Sequence, residues 1–285
     1  MANIKDIKAR EILDSRGTPT IECDIVLSDN SFGRAAVPSG ASTGLHEAIE
    51  LRDCDNNRYN GKGVLKAIGN ILNIIKPEVI NKEFFNFEDF DNAIIAIDGT
   101  NNKSSIGANS TLGLSLAFTK ALAAQSKDSL YKFLSRDSDY ILPVPMINII
   151  NGGSHADNNV DIQEFMIAPV GAQSFSEAIR CGCEIFHSLK SKLKQKGYNT
   201  NIGDEGGFAP NINSSKKILE FIIDAVVASG FDPSKDVQLS LDIASTEFYH
   251  DNKYHLKSEN KVCTSDQMID YIKDLINSFP IYSIE

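Results

Sequence analysis

Acidic side chains stand at the ends of two predicted strands in the second half of the chain. Asp242 closes the apolar segment LSLD, and Glu285 follows the strand-like segment IYSI. Active sites of parallel α/β barrels are built at the carboxyl ends of the strands, so both carboxylates are expected at one mouth. Carboxylates with open coordination positions suit Mg²⁺. The alternative is that the two acids cap neighbouring helices.

A glycine-rich segment, NIGDEGGFAP, carries Asp204 and Glu205. Glycines let a backbone approach a ligand closely and leave the two acids uncrowded. A carboxyl group with a raised pKa in such a loop can serve as a general acid. On this pattern alone, an ordinary turn is the alternative.

The segment NGGSHADNNVDIQEF offers His155, Gln163 and Glu164, the last two at the start of a predicted strand. Its acidic stretch is similar to a calcium loop, but Ile162 stands where an EF-hand requires glycine, which excludes that motif. The alternative for a histidine beside a strand is a purely structural role.

The segment AVPSGASTG, which contains Ser42, is a loop of glycine and hydroxyl residues before a predicted helix. Such a loop favours an anion or a metal-bound phosphate near the helix N-terminus, and its small residues would let it move as a lid.

The elements that must position these residues follow two patterns. Residues 3 to 37 alternate between apolar and polar types, which predicts antiparallel strands, and helical spacing follows over 64–75, 87–97 and 110–126. We therefore predict an α+β domain over residues 1–138. Residues 139–285 alternate near-continuous apolar strands with helices, which is typical of a parallel α/β barrel. They cover about half of such a barrel, whose eight strands take about 250 residues.

Composition narrows the classes of partner. The 285-residue chain has 38 acidic and 28 basic residues, which disfavours nucleic acid as a main partner. No apolar run reaches the roughly 18 residues of a membrane span, and the first residues lack the apolar core of a signal peptide. The 5 scattered cysteines do not predict a disulfide framework, so a cytoplasmic location is expected.

Taken together, these segments resemble the enolase family. AREILDSRGTPTIE, AVPSGASTG, NGGSHADNNVDIQEFMIAPVGA, GDEGGFAPN, LDIASTEFY and YSIE are similar to family signatures along the whole chain, most closely to bacterial members. The resemblance implies an N-terminal α+β domain followed by an enolase-type TIM-like barrel. It implies a lyase that reversibly dehydrates 2-phosphoglycerate to phosphoenolpyruvate in glycolysis and gluconeogenesis, with two Mg²⁺ ions offsetting the charge that develops on the substrate.

The resemblance also implies a role for each candidate residue. Glu205 would be the general acid that protonates the departing hydroxyl, with Glu164 assisting. Gln163 and His155 would contact the substrate. The implied metal ligands are Asp242 and Glu285 for the first Mg²⁺ and Ser42 for the second.

The family's lysine base, its third metal carboxylate and its phosphate-binding residues come later than the SIE motif. We therefore expect a C-terminally truncated enolase whose barrel is about half present. The chain alone is predicted to be inactive, because it lacks the base, and poorly soluble, because its last strand would be an exposed apolar edge. The resemblance further implies a homodimer or larger homo-oligomer, and a cell-surface or secreted pool for some members.

Two other functions remain open at this point. Another enolase-superfamily enzyme, such as an acid-sugar dehydratase or a racemase, would share the strand-end carboxylates, although the SGASTG and GDEGG loops argue against it. A shortened gene product could instead be a non-catalytic binding or oligomerisation protein.

Overall fold

The computed structural model describes residues 1–40, 43–44, 46–135 and 139–285. They form two compact units, Met1–Asp139 and Tyr140–Glu285, each with its own hydrophobic core. Within these described ranges, no helix is both long enough and apolar enough to cross a membrane.

The first unit contains an antiparallel sheet in the strand order β3-β2-β1-β4. Every second residue of β2, from Ile21 to Leu27, is fully buried, which is why the alternating pattern reads clearly in the sequence. The prediction of antiparallel strands over residues 3 to 37 is confirmed. The strands are β1 (Ala2–Leu13), β2 (Pro19–Leu27), β3 (Phe32–Ala36) and β4 (Glu83–Phe84).

The described part of this unit also contains five α-helices, and one of them packs closely on the sheet. A Cβ atom on Gly33 of β3 would lie 2.0 Å from the carbonyl oxygen of Ala117, so only glycine allows this approach. The helices are α1 (Leu65–Asn70), α2 (Lys76–Val79), α3 (Phe87–Asp98), α4 (Ala108–Ser126), which carries Ala117, and α5 (Leu130–Leu134).

The helix predicted over 64–75 is interrupted by a π-helical turn, Ile71–Ile75, between α1 and α2. Pro77 has no backbone N–H to donate to the carbonyl four residues earlier, at Asn73, so the regular hydrogen-bond ladder must change there. The sequence pattern shows the apolar stripe but not this local change of period.

The helix expected to follow the AVPSGASTG loop does not form in residues 46–53. The backbone of this segment is bonded instead to the region around the start of α4: the Ile49 carbonyl accepts from the Ala108 N–H at 2.8 Å. The Asn109 side chain bonds both backbone groups of Leu51, at 3.1 and 3.2 Å. The described residues therefore provide no helix N-terminus for an anion at this loop.

The second unit is built on a four-stranded sheet in the order β11-β7-β6-β5. β7 and β11 are parallel, whereas β6 is antiparallel to both β5 and β7. The expectation of parallel strands throughout is therefore wrong for β6. Residues 152–163, which join β5 to β6, contain only a short 3₁₀ turn and no crossover helix, which a parallel pair would require. The strands are β5 (Ile147–Asn151), β6 (Glu164–Ala168), β7 (Gln238–Asp242) and β11 (Ile281–Ile284).

The remaining elements of this unit are three helices and a small antiparallel sheet. Thr264 and Gln267 form a capping box at the start of the last helix, with reciprocal bonds of 2.9 and 3.3 Å. The helices are α6 (Phe175–Gln195), α7 (Ser215–Ala228) and α8 (Ser265–Ser278), and the small sheet comprises β8 (Tyr249–His250), β9 (Lys253–Leu256) and β10 (Lys261–Cys263).

Candidate active site

The reversed direction of β6 brings the candidate acids to one edge of the sheet. The amino end of β6 lies beside the carboxyl ends of its neighbours, so Glu164 is paired with Asn151 on one side and with Asp242 on the other. Glu285 follows β11, and its carbonyl accepts from the Ile243 N–H at 3.0 Å. Glu164, Asp242 and Glu285 thus form a row across three strands.

Glu205 reaches the same edge from a loop that is anchored by backbone hydrogen bonds. Phe208 bridges to β5, where its N–H and C=O bond Ile149 and Asn151 at 2.9 Å. The Gly203 N–H donates to the Gly207 carbonyl at 2.8 Å, closing the turn that contains Glu205. A Cβ on Gly207 would lie 2.5 Å from Oδ1 of Asn151, so a side chain there would push the loop off the strand.

His155 lies between the two glutamates predicted to be catalytic. Its Nδ1 is 3.2 Å from Oε1 of Glu164 and 3.7 Å from Oε1 of Glu205. The His155 side chain is 7% exposed and that of Glu164 13%, whereas that of Glu205 is 48% exposed. Two side chains of this group are therefore buried, and the third, Glu205, is accessible to solvent.

Burial, above all, raises the pKa of Glu164 to about 8. A hydrogen bond with Glu205 and the negative charges of Glu205, Asp242 and Glu285 act in the same direction. At neutral pH a carboxyl group in this setting keeps a proton that it can share with its neighbour. The site can therefore store and donate a proton.

Gln163 connects Asp242 to the loop that carries His155. Its Nε2 donates to Oδ2 of Asp242 at 2.8 Å, and the Ser154 hydroxyl donates to its Oε1 at 2.8 Å. The Ala244 N–H donates to Oδ1 of Asp242 at 2.9 Å, from a left-handed backbone conformation with φ of 46°. Each Asp242 oxygen thus accepts one of these bonds and retains a lone pair. Ser154 lies within the NGGSHAD segment, but nothing in its type or spacing predicts this contact.

Two family models match nearly the whole chain. Residues 4–134 match the enolase N-terminal domain, and residues 139–285 match the enolase C-terminal TIM barrel domain. The chain belongs to the enolase family. This confirms the family resemblance, as well as the fold class of an α+β domain followed by part of an enolase-type barrel. The enolase family is a family of lyase-type enzymes.

The enolase family typically binds Mg²⁺, and the residues of this edge fit a divalent cation. Three neighbouring carboxylates raise the pKa of Glu164, so negative charge is concentrated here and a cation would relieve it. Asp242, the last residue of β7, and Glu285, which directly follows the adjacent β11, offer the oxygen ligands that Mg²⁺ prefers. Ser42, predicted to bind the second ion, lies outside the described residues.

A second group that could hold a metal consists of His155, Glu164 and Glu205. One ligand atom from each residue lies within 4.8 Å of the other two. Its nitrogen ligand distinguishes it chemically from the Asp242 and Glu285 carboxylates.

Proposed function

We propose that this chain serves the reversible dehydration of 2-phosphoglycerate to phosphoenolpyruvate. The observation that carries the proposal is the meeting of Glu164 and Glu205 beside Asp242 and Glu285, the carboxylates suited to Mg²⁺. This arrangement supports a proton donor beside the carboxylates that would hold the charge-neutralising ion.

The reaction breaks the C2–H and C3–O bonds and forms the C2–C3 double bond. The hydroxide that leaves C3 needs a proton to depart as water, and Glu205, which solvent can reach, is the proposed donor. Glu164 shares a hydrogen bond with Glu205 and supports it as a proton reservoir. His155 and Gln163 are the proposed substrate contacts.

Asp242 and Glu285 are the proposed ligands of the first Mg²⁺. The bound ions would offset the second negative charge that the substrate carboxylate gains when the C2 proton is lost. Gln163 and the Ala244 N–H hold the Asp242 carboxylate in one orientation, so its free lone pairs point in fixed directions.

The proposal is tested by turnover of 2-phosphoglycerate. The protein that carries this sequence is isolated from its own cells, and its intact mass is measured. We expect that protein to form phosphoenolpyruvate from 2-phosphoglycerate in the presence of Mg²⁺. Turnover of acid sugars with none of 2-phosphoglycerate would contradict the proposal. We expect the 285-residue chain by itself to be inactive. Among the described residues, no lysine amine lies within ion-pair distance of Glu164, Glu205, Asp242 or Glu285 to take the C2 proton.

In the active protein, Glu205→Gln is expected to lower the elimination rate at least about 100-fold, because the amide cannot donate the proton in the transition state. Exchange of the C2 proton with deuterated water should continue, since that step precedes departure of the hydroxyl group. Mass spectrometry of recovered substrate measures exchange, and product absorbance measures elimination. Equal loss of both would reject Glu205 as the acid. Glu247→Gln, at an exposed position elsewhere in the second unit, is the control.

A further inference from the structure

We propose that a cavity of the first unit binds a small organic cation, one that carries an ammonium group on a compact apolar body. The cavity has a volume of about 670 Å³, and all of its lining residues belong to the unit Met1–Asp139. This volume lies in the range of pockets that hold small molecules. The proposal concerns a separate binding site and does not rest on the proposed function.

Two helices and one extended segment form the walls of the cavity. Lining residues recur on α3 and α4 with the three- and four-residue spacing that places side chains on one helix face. They include Asp91, Ile94 and Ile95 of α3 and Thr111, Leu112 and Ser115 of α4. The extended wall contains Ile49, whose N–H donates to the Asn102 carbonyl and whose carbonyl accepts from the Ala108 N–H, both at 2.8 Å. Because backbone bonds hold this wall in place, the cavity is formed without a ligand.

Apolar side chains on all three walls are incompletely covered. Ile49, Ile95 and Leu112 are 43%, 42% and 40% exposed, and each of them lines this one cavity. Single exposed apolar residues are ordinary on a protein surface, whereas a group of them around one cavity marks a surface that a ligand can cover. The walls therefore suit the apolar body of a small molecule.

The carboxyl group of Asp91 selects the charge of that molecule. Its Oδ1 is buried and makes no hydrogen bond, and the group is hydrogen-bonded to Ser115. Burial, above all, raises the pKa of Asp91 against the effect of that bond, and the charge of Glu88 raises it further. Among the described residues, no lysine or arginine forms an ion pair with Asp91. An ammonium group in the cavity would supply the missing positive charge through a charge-assisted hydrogen bond.

The other charges around the cavity also favour a cation over an anion. Its described lining residues include three acids, Glu47, Glu50 and Asp91, and one base, Lys103. Arg52 pairs with Glu50 at 2.6 Å, which leaves the charges of Glu47 and Asp91 against that of Lys103. The remaining charge is negative, so a positively charged ligand is attracted.

The test compares three probes of nearly the same shape: the cation 2-phenylethylamine, the neutral 2-phenylethanol and the anion 3-phenylpropionate. Each is titrated into the 285-residue chain at pH 8, where an alkylamine is protonated, and the isoleucine methyl groups are followed by NMR. We expect the amine to shift the signals of Ile49 and Ile95 and to bind at least about 10-fold more tightly than the alcohol, because it adds a charge-assisted hydrogen bond. The anion should bind more weakly than the alcohol. Ile269 of the second unit, which is 49% exposed, reports non-specific binding and should not shift.

Asp91→Asn keeps the shape of the side chain and removes its charge. The affinity for the amine should fall at least about 10-fold, to that for the alcohol, and the affinity for the alcohol should not change. Glu88→Gln is the matched control, because Glu88 is an exposed acid of α3 that does not line the cavity. It should change the affinity for the amine by less than about 3-fold.

Ile95→Ala tests the apolar wall at a position that is already 42% exposed, so the proposal can be judged even if Asp91→Asn fails to fold. The amine and the alcohol should both bind about 4-fold more weakly, which is the effect of losing contact with about one methylene group. Unchanged affinity for both probes in Ile95→Ala would contradict the assignment of this cavity.

Equal affinity for the amine and the alcohol, tighter binding of 3-phenylpropionate, or absence of shifts at Ile49 and Ile95 would each overturn the proposal. So would an unchanged preference for the amine in a folded Asp91→Asn variant. Because the readout is binding within the first unit, a negative result would leave the proposed turnover of 2-phosphoglycerate standing, and failed turnover would leave this site standing.

Discussion

Replacing Glu164 with Gln should make the second unit, Tyr140–Glu285, more stable than the unmodified chain by about 2–4 kcal/mol above about pH 8. Burial and the charges around it raise the pKa of Glu164 to about 8 in the folded chain, against a usual value of 4.5. The folded protein therefore holds a carboxylate in an unfavourable place once this group ionises. Glutamine keeps a similar shape and stays neutral, so it removes that cost.

The sign of the pH dependence follows from which state binds more protons. Below pH 4.5 Glu164 is protonated in both the folded and the unfolded chain, and its ionisation costs no stability. As the pH rises towards 8, the unfolded chain ionises first, so the unmodified protein loses stability progressively. At one pKa unit per about 1.4 kcal/mol the full difference would be near 5 kcal/mol, which partial solvation of the site reduces.

The measurement is urea unfolding followed by circular dichroism at a series of pH values, since the chain contains no tryptophan. Hydrogen exchange of peptides from β6 assigns the transition to the second unit. Glu220→Gln, on the exposed face of α7, removes the same charge from a position that is not buried. Its free energy of unfolding should change with pH in the same way as that of the unmodified chain. If the free energy of unfolding of Glu164→Gln also changes with pH as that of the unmodified chain does, Glu164 is not the residue that titrates.

The reversed strand β6 shows what the sequence could and could not predict. Its apolar run identifies a buried strand but carries no information on direction, because a strand buried on both faces has the same composition in either orientation. The short connection over 152–163 was the available signal, since a parallel return normally needs a crossover helix. Without that direction, the motif places Gln163 and Glu164 at a strand start but does not explain why they face Asp242.

For the candidate site, the sequence likewise predicts some features but not others. Residue types and order single out Glu205, Asp242 and Glu285, because acids in glycine loops and at strand ends are visible in the sequence. The raised pKa of Glu164 depends on burial and on three charges that only the fold brings together. The same holds for the position of His155 between Glu164 and Glu205 and for the bond from Ser154 to Gln163.

Phe208→Ala should destabilise the second unit by about 3–5 kcal/mol, the usual cost of removing a buried phenyl group. Phe208 is fully buried, and its ring stacks on that of Phe186 with centroids 4.2 Å apart and planes inclined by 18°. The same residue joins the 203–208 loop to β5 through its backbone bonds, which alanine can keep. Loss of the ring should therefore make the 203–208 loop more mobile while its backbone bonds to β5 are still formed.

Because Glu205 lies within that loop, the Phe208→Ala substitution should also affect the position of Glu205. We expect amides of residues 203–207 to exchange faster in Phe208→Ala than in the unmodified chain. Phe208→Leu, which fills most of the volume, should cost about half as much and retain slow exchange. Phe175→Ala, at a 45% exposed position, is the control and should change stability by less than about 0.5 kcal/mol. A cost below about 1 kcal/mol for Phe208→Ala would mean that backbone bonding alone, rather than the stacked rings, fixes the position of Glu205.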